Sequence, residues 1–334
     1  MYRTNEEWSS EWDRFLSLNH PEAGFMQSSW WIDLVVRHGF DYVDAFYLDA
    51  SSILGGAKVL VNEFEPGFCY LYIPDGPILP RDPRAGAELF QGVLTFLDQC
   101  RFEDAERRYS HVRIEPKWTV KPEFVKNFTE FSGWIEPRST VHVDLTAPEQ
   151  ALLSQMKSNG RARVKKASTQ GVTIVEDNSE SAILDFMAIY GATAERKRLD
   201  PMNKAFQTDL MRTMFAYQCG SLYFAEYRGK RIATALIIFF GERATYFFAG
   251  SLVEFRELMA PYLLNYVVMT QAKARGFKWY DLYGAAPPGA SGHIWESISV
   301  FKRNFGGVDI NYIPALDYVF DDGAYQKYLH HIND

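Results

Sequence analysis

The strongest constraint on what this chain can fold into is an order of elements that occurs twice. In the first half, residues 44–48 and 56–61 read as strands joined by a polar turn, and 69–73 as a further strand. Residues 87–100 then carry Leu89, Val93, Phe96 and Leu97 at helical spacing, and 111–114 close the group as a short strand. In the second half, 221–227 and 231–240 flank the turn Arg228-Gly229-Lys230, and 245–248 is the next strand. Residues 261–275 read as a helix with Pro261 in its first turn and Gly276 behind its last, and 278–282 close this group too. Matching elements lie roughly 170–180 residues apart, far beyond a solenoid repeat, so the pattern predicts two copies of one domain.

The remaining elements place the domain limits. Residues 6–18 and 28–37 read as helices, and 150–170 as a helix with Thr146 and Glu149 as its capping box and Gly171 at its end. Residues 185–198 and 204–217 read as two more, separated by Asp200-Pro201; 308–313 reads as a strand and 324–332 as a helix. Domains are therefore expected at 1–145 and 146–310, with 311–334 packed back on the first.

With 47% hydrophobic and 16% aromatic residues, a sizeable core is available and global disorder is excluded. The net charge of −7 argues against nucleic-acid or anionic-membrane binding through the whole surface, but leaves room for a local basic groove; DNA is not an expected partner. Cys69, Cys100 and Cys219 form no CxxC pair and suit a reducing cytoplasm. Residues 1–14 lack a signal-peptide core, and no apolar run reaches the roughly 20 residues of a membrane span; 259–269 reads as a buried helix. A cytoplasmic protein that does not span the membrane is expected. His111, His142 and His293 are isolated, without metal spacing or a coupled nucleophile, and read as structural or loop residues; no metal and no organic cofactor is implied.

Strand–strand–strand–helix–strand, preceded by helices, is the order of the N-acetyltransferase-like (GNAT) fold. The expected class is thus α/β (α+β), with two GNAT-like domains in tandem. An acyl-CoA enzyme of this fold needs a glycine-rich turn at the start of its central helix, where backbone amides meet the pyrophosphate. Here 254–260 holds two carboxylates and no glycine, and 80–86 holds Arg81, Asp82, Pro83 and Arg84 with Gly86 alone. The fold suggests acyl transfer; these segments argue against acyl-CoA.

A run of motifs then carries a resemblance: Gln27-Ser28-Ser29-Trp30-Trp31 with Gly39, Tyr72-Ile73-Pro74-Asp75-Gly76-Pro77, Arg113-Ile114-Glu115-Pro116, Val143-Asp144-Leu145, Met156-Lys157-Ser158-Asn159-Gly160-Arg161, Thr193-Ala194-Glu195-Arg196, Tyr246-Phe247-Phe248-Ala249-Gly250-Ser251, Tyr280-Asp281-Leu282-Tyr283-Gly284, and Phe301-Lys302 with Phe305-Gly306-Gly307. In this order they resemble the FemABX peptidyltransferases, which move an amino acid from aminoacyl-tRNA onto a peptidoglycan precursor. No charged heptad stretch lies between Ala194 and Met214, so the chain looks like the short, monomeric FemX-like type without a coiled-coil arm. It departs from the family pattern at Val35, where short members carry a phosphate-contacting lysine, at Glu115 for an aspartate, and at Phe248 and Ala249 for tyrosine and glycine.

The resemblance implies a cytoplasmic aminoacyltransferase with a groove between its domains, the first binding the precursor and the second the acceptor end of aminoacyl-tRNA. The acceptor is UDP-MurNAc-pentapeptide or lipid II, whose third stem residue supplies the attacking amine; peripheral membrane association is left open. Other readings stay available: a GNAT-fold N-acyltransferase using another amine and activated donor, or a non-catalytic precursor-binding protein.

Phe301 and Phe305, at i, i+4 spacing, anchor a turn after the Gly/Pro-rich loop 283–292, which reads as mobile. Lys302 between them is either a solvated surface lysine or a charge held where an oxyanion develops. Phe301, Lys302 and Glu115 are the catalytic candidates. Glu115 either orients the amine and takes its proton or simply pairs with Arg113 or the local turn. Arg196 either grips a substrate phosphate or complements its helix dipole, with Arg198 the solvated neighbour. Lys157, Arg161 and Lys165, in a run with Arg163 and Lys166, meet the tRNA backbone or form a solvated face. Tyr246 and Phe248 alternate on a strand and are expected on one side of it, lining a pocket or filling the core, with core favoured for Phe248. Trp31 and Arg37 complete the substrate-binding set on the N-terminal helix.

Overall fold

Residues 8–49, 52–197 and 203–333 are described in this computed structural model. The chain opens with helices α1 (Ser9–Asn19) and α2 (Ser29–Arg37), followed by strands β1 (Asp41–Asp49), β2 (Ser52–Glu65) and β3 (Phe68–Pro74). Helix α3 (Pro83–Glu103) leads to β4 (Arg108–Glu115) and the short β5 (Thr129–Glu130). Next come β6 (Ser139–Asp144), helices α4 (Glu149–Gln155) and α5 (Ser158–Thr169), β7 (Thr173–Glu176), α6 (Glu180–Lys197) and α7 (Lys204–Ala216). Strands β8 (Gly220–Tyr227), β9 (Lys230–Phe240) and β10 (Arg243–Ser251) precede α8 (Ala260–Ala274) and β11 (Trp279–Asp281). Helix α9 (Glu296–Lys302), β12 (Val308–Asn311), β13 (Leu316–Val319) and α10 (Asp322–His331) complete the described order.

Two compact units result, one of Met1–Arg138 with Tyr312–Asp334 and one of Ser139–Asn311. The sheet of the first runs β1-β2-β3-β4-β13-β5, and that of the second β12-β6-β11-β10-β9-β8-β7. The internal repeat is explicit in the pairing. β1, β2 and β3 are antiparallel, α3 crosses over, and β4 returns parallel to β3. β8, β9 and β10 repeat this, and β11 returns parallel to β10 after α8. Parallel neighbours need such a helical crossover, which is why each copy carries its long amphipathic helix at that point. In α3, Leu89, Phe90, Val93, Leu94 and Leu97 are buried on the first core, while Asp82 caps the amides of Arg84 and Ala85. In α8, Leu264, Val268 and Met269 face the second core.

Several boundaries differ from the sequence expectation. The second unit begins at Ser139 because β6 pairs with both β11 and β12. The helix expected over 150–170 is two helices, broken at Met156–Lys157. There Gly306 (φ +83) passes so close that a Cβ would lie 2.0 Å from the Gln155 carbonyl oxygen, and the Lys157 amide donates to the Asn304 carbonyl. The expected capping box at Thr146 does not form: Asp144 Oδ1 holds the Thr146 amide and hydroxyl, Pro148 is the N-cap of α4, and the Glu149 side chain lies outside the described residues. The expected elements over 1–7, and Arg198 with Asp200-Pro201, also fall outside them.

Candidate active site

In the second unit, α9 ends on Lys302, whose side chain is buried at 7% exposure. Its ammonium donates to the Tyr283 carbonyl at 2.8 Å and the Gly284 carbonyl at 2.5 Å. Burial lowers its pKa to about 7; Asp281 opposes that fall and Lys197, at the end of α6, adds to it. An ammonium has three donors, and two are committed to these carbonyls. The solvated-lysine alternative is therefore excluded. Phe301 is half buried, with its ring edge-on to Tyr262 at 4.9 Å and to Phe305 at 5.2 Å. It anchors the α9 turn to α8 and so fixes where Lys302 can reach.

The loop after β11 is not mobile at its start. Ser299 Oγ accepts from the Ala286 amide and Arg303 donates to the Ala286 carbonyl, so three residues of the α9 segment, Ser299, Lys302 and Arg303, hold 283–286 in place. Gly284, Ala285 and Ala286 are buried, and only the residues beyond them are exposed.

Tyr246 and Phe248 do not share a side. The register slips between them, pairing Tyr246 with Ile237 and Phe248 with Leu236, so a bulge at Phe247 turns the two rings to opposite faces. Tyr246 is buried against Tyr280 and the Asn265 side chain on the α8 face; its desolvated hydroxyl is pushed up to about 12. Phe248, the half-buried member, lies 5.5 Å from Tyr190 of α6. This reverses the expectation that Phe248 is the core residue. Phe247 packs edge-on to Tyr283 at 4.9 Å, which ties the bulge to the turn that holds Lys302.

The other second-unit candidates divide. Arg196 is exposed on the last turn of α6 and donates to the Ser251 carbonyl at 3.1 Å. Lys157, at the N-cap of α5, and Lys165 on that helix are exposed. Arg161 is half-buried, and one of its guanidinium nitrogens donates to the Ser154 and Met156 carbonyls at the end of α4. Arg163 likewise bonds and stacks on Tyr262.

In the first unit, Glu115 ends β4 at 8% exposure. It does not pair with Arg113, because that guanidinium is taken by Asp317 of β13 in a two-bond pair at 2.8 and 2.7 Å, with Tyr328 of α10 as a third partner. Glu115 accepts from the Tyr72 hydroxyl at 2.5 Å and from the Ile135 and Glu136 amides. Burial raises its carboxyl above the usual range against these bonds. It lines a small cleft with Lys117, Glu136, Arg138 and Tyr312. Trp31 is buried in an aromatic cluster with Phe25 and Trp30, so it serves packing rather than an open surface. Arg37 is exposed at the end of α2, while Val35 on the same helix is core.

The sequence reading assigned no role to Asp281, Thr140, Phe247 or the Tyr283 and Gly284 carbonyls, and took His142 as a structural or loop residue. For Asp281, Tyr283 and Gly284 the signal is the motif Tyr280-Asp281-Leu282-Tyr283-Gly284 at a strand end, and for Phe247 the motif Tyr246-Phe247-Phe248-Ala249-Gly250-Ser251. Among the described residues, no helix is long and apolar enough to cross a membrane.

The paired sheets, each with a helical crossover and one parallel neighbour, define a tandem GNAT-type protein. A solved structure of a tandem GNAT protein from the clavulanic acid biosynthesis pathway matches at TM-score 0.50 with 11% identity, over 96% of each chain. A crystal structure of FemX matches far better, at TM-score 0.82 with 16% identity, over 98% of each chain. The sequence pattern of the FemAB family matches residues 123–227 and 221–328, and this chain belongs to that family. It is also 27% identical over 351 residues to the UDP-N-acetylmuramoylpentapeptide-lysine N(6)-alanyltransferase of Weissella viridescens, spanning 93% of this chain and 98% of that protein.

Proposed function

We propose that this protein is an aminoacyltransferase that moves an amino acid from aminoacyl-tRNA to the side-chain amine of a peptidoglycan-precursor stem peptide. The relative from Weissella supports the acceptor class, and the buried Lys302 ammonium is the observation that carries the chemistry. The ester of a charged tRNA is already activated, so the protein must chiefly position the reactants and stabilise charge. The neutral amine attacks the ester carbonyl carbon, forming the C–N bond and pushing an electron pair onto the carbonyl oxygen. Collapse of this intermediate breaks the C–O bond to the ribose, and the proton shed by nitrogen ends on the ribose oxygen. Lys302 acts as the charge facing the developing oxyanion, and Phe301 keeps its segment in register. Glu115, with its raised carboxyl, orients the amine and takes its proton in passing.

In this reading the first unit takes the precursor, as UDP-MurNAc-pentapeptide or lipid II, with Arg37 near its anionic part. The second takes the acceptor end of tRNA, with Lys157 and Lys165 on the phosphate backbone, Arg196 on a substrate phosphate and Phe248 lining the pocket. The protein works as a cytoplasmic monomer. The test is mass spectrometry of each precursor form after incubation with a mixture of charged tRNAs. The expected result is a mass gain of one aminoacyl residue or a small number of them on the precursor. Precursor binding without mass gain would leave a binding protein, and modification only with acyl-CoA would leave an ordinary N-acyltransferase.

A further inference from the structure

Asp281 is the last residue of β11, buried at 6% exposure, and no step above uses it. One of its carboxylate oxygens accepts both the Thr140 hydroxyl of β6 and the Tyr283 amide, the latter at 2.8 Å. The other lies 3.3 Å from His142 Nε2, also on β6. Tyr283 sits in the left-handed region at φ +53, which a non-glycine residue occupies only when its surroundings impose it. That conformation precedes the two carbonyls that receive the Lys302 ammonium. The strand end, the strained turn and the buried amine thus form one chain of bonds.

We infer that Asp281 is a positioning residue for Lys302: anchored by Thr140 and faced by His142, it clamps the Tyr283 turn that aims the Tyr283 and Gly284 carbonyls at the ammonium, and its charge holds that amine in the protonated form. The inference rests on the transferase reading for its consequence in turnover, but not for the clamp itself.

The electrostatics agree with the geometry. Burial opposes ionisation of Asp281, yet His142, Arg243 of β10 and the Thr140 hydroxyl hold its carboxyl well below the usual range. The Asp281 charge favours the protonated Lys302 and the Lys197 charge of α6 opposes it, while the nearby Arg303 is neutralised by Asp309. Among the described residues, Asp281 is the carboxylate whose charge favours the protonated amine.

The test separates clamp from charge. Asp281→Asn keeps an acceptor for the Tyr283 amide and removes the charge; Asp281→Ala removes both. Lysine amines are labelled with nitrogen-15 in the full-length protein, Lys302 is assigned from the missing signal of Lys302→Met, and its titration is followed by NMR without any substrate. The expected midpoint near 7 moves down by about one unit or more in Asp281→Asn, the scale set by one opposite charge nearby. In single-turnover transfer, the high-pH limb moves down with it and the maximal rate falls, while the KM for precursor stays put. Asp281→Ala loses more rate than Asp281→Asn. A purely structural role would instead lower rate at every pH without moving the limb, and an unmoved NMR midpoint overturns the inference. Absence of transfer by the wild-type protein would sink the transferase reading alone, since the titration still reports on the clamp. Should Asp281→Asn unfold, Thr140→Val, which releases the anchor and keeps the charge, is expected to move the midpoint the same way by less; no movement there overturns the inference too.

Discussion

Each unit places a lysine near the carboxyl end of its parallel strand pair, partly buried Lys117 in the first and buried Lys302 in the second, and the two amines stand in opposite electrostatic states. In the first unit, Lys117 follows β4 and meets Asp75, just past the end of β3, at 2.8 Å. Burial works against its charge, but the carboxylate outweighs burial and the pKa is raised. In the second, Lys302 donates to two backbone carbonyls with no carboxylate bonded to it among the described residues, and burial wins. A full opposing charge makes a fixed ion pair. Two dipoles with a carboxylate one step removed leave an amine near its switching point, where the field of a reacting group still matters. Lys117 is thus held in a fixed ion pair, while Lys302 is held by two backbone carbonyls.

The most damaging test of this contrast is Asp75→Ala. It leaves the largely buried Lys117 side chain without its counter-charge and is expected to cost about 3–5 kcal/mol of stability, read from denaturant melts. A loss below about 1 kcal/mol would place that pair among ordinary surface contacts. Lys302→Met should do the reverse. Single-turnover transfer is expected to fall by about 10²–10³, the scale of one lost preorganised donor, with precursor affinity little changed and no loss of folding. Lys302→Arg should restore only part of the rate, because a planar fork does not reproduce a point charge.

The pH dependence of stability sharpens the contrast further. The Lys302 pKa is about 7 in the folded state, against about 10.4 for a free lysine. Between those values the unfolded chain holds a proton that the folded chain has released, so this residue makes stability rise with pH there. Lys302→Met should therefore gain most over wild type below pH 7 and lose that gain by about pH 10, as followed by thermal melts across pH. The Lys117 contribution runs the other way, present below the unfolded pKa and lost as pH rises through the raised folded one. The smallest effect is expected on α5. Lys165→Glu should flatten the salt dependence of tRNA use by about one unit of slope, whereas Arg161→Ala should cost about 1 kcal/mol of stability and leave that slope alone.

What the sequence disclosed follows from how local each signal is. Helix α3 and strands β8 and β9 are written in spacings of a few residues, so the repeated order was legible and led to the right family. Strand β13 is short and exists because of a partner far along the chain, so it was not. Nothing near Arg113 announces Asp317, and the adjacent Glu115 was a plausible but wrong partner. The bulge at Phe247 carries no glycine to mark it, so strict alternation put Tyr246 and Phe248 on one side. Lys302 was found by its motif, but its burial depends on carbonyls 18 and 19 residues earlier, a relation that spacing alone does not reveal.

The pairing of Arg113 with Asp317 spans 204 residues, and it bears on how the protein is made. On a ribosome, Ser139–Asn311 emerges as one uninterrupted stretch that already contains every strand of its own sheet. The stretch synthesised before it has β4 with one edge still unpaired and a guanidinium without its carboxylate until β13 and α10 leave the exit tunnel. Domains usually mature in the order they are translated. Here the order inverts: the half translated first is the last to be finished, and for most of translation it is the half that a chaperone would have reason to hold.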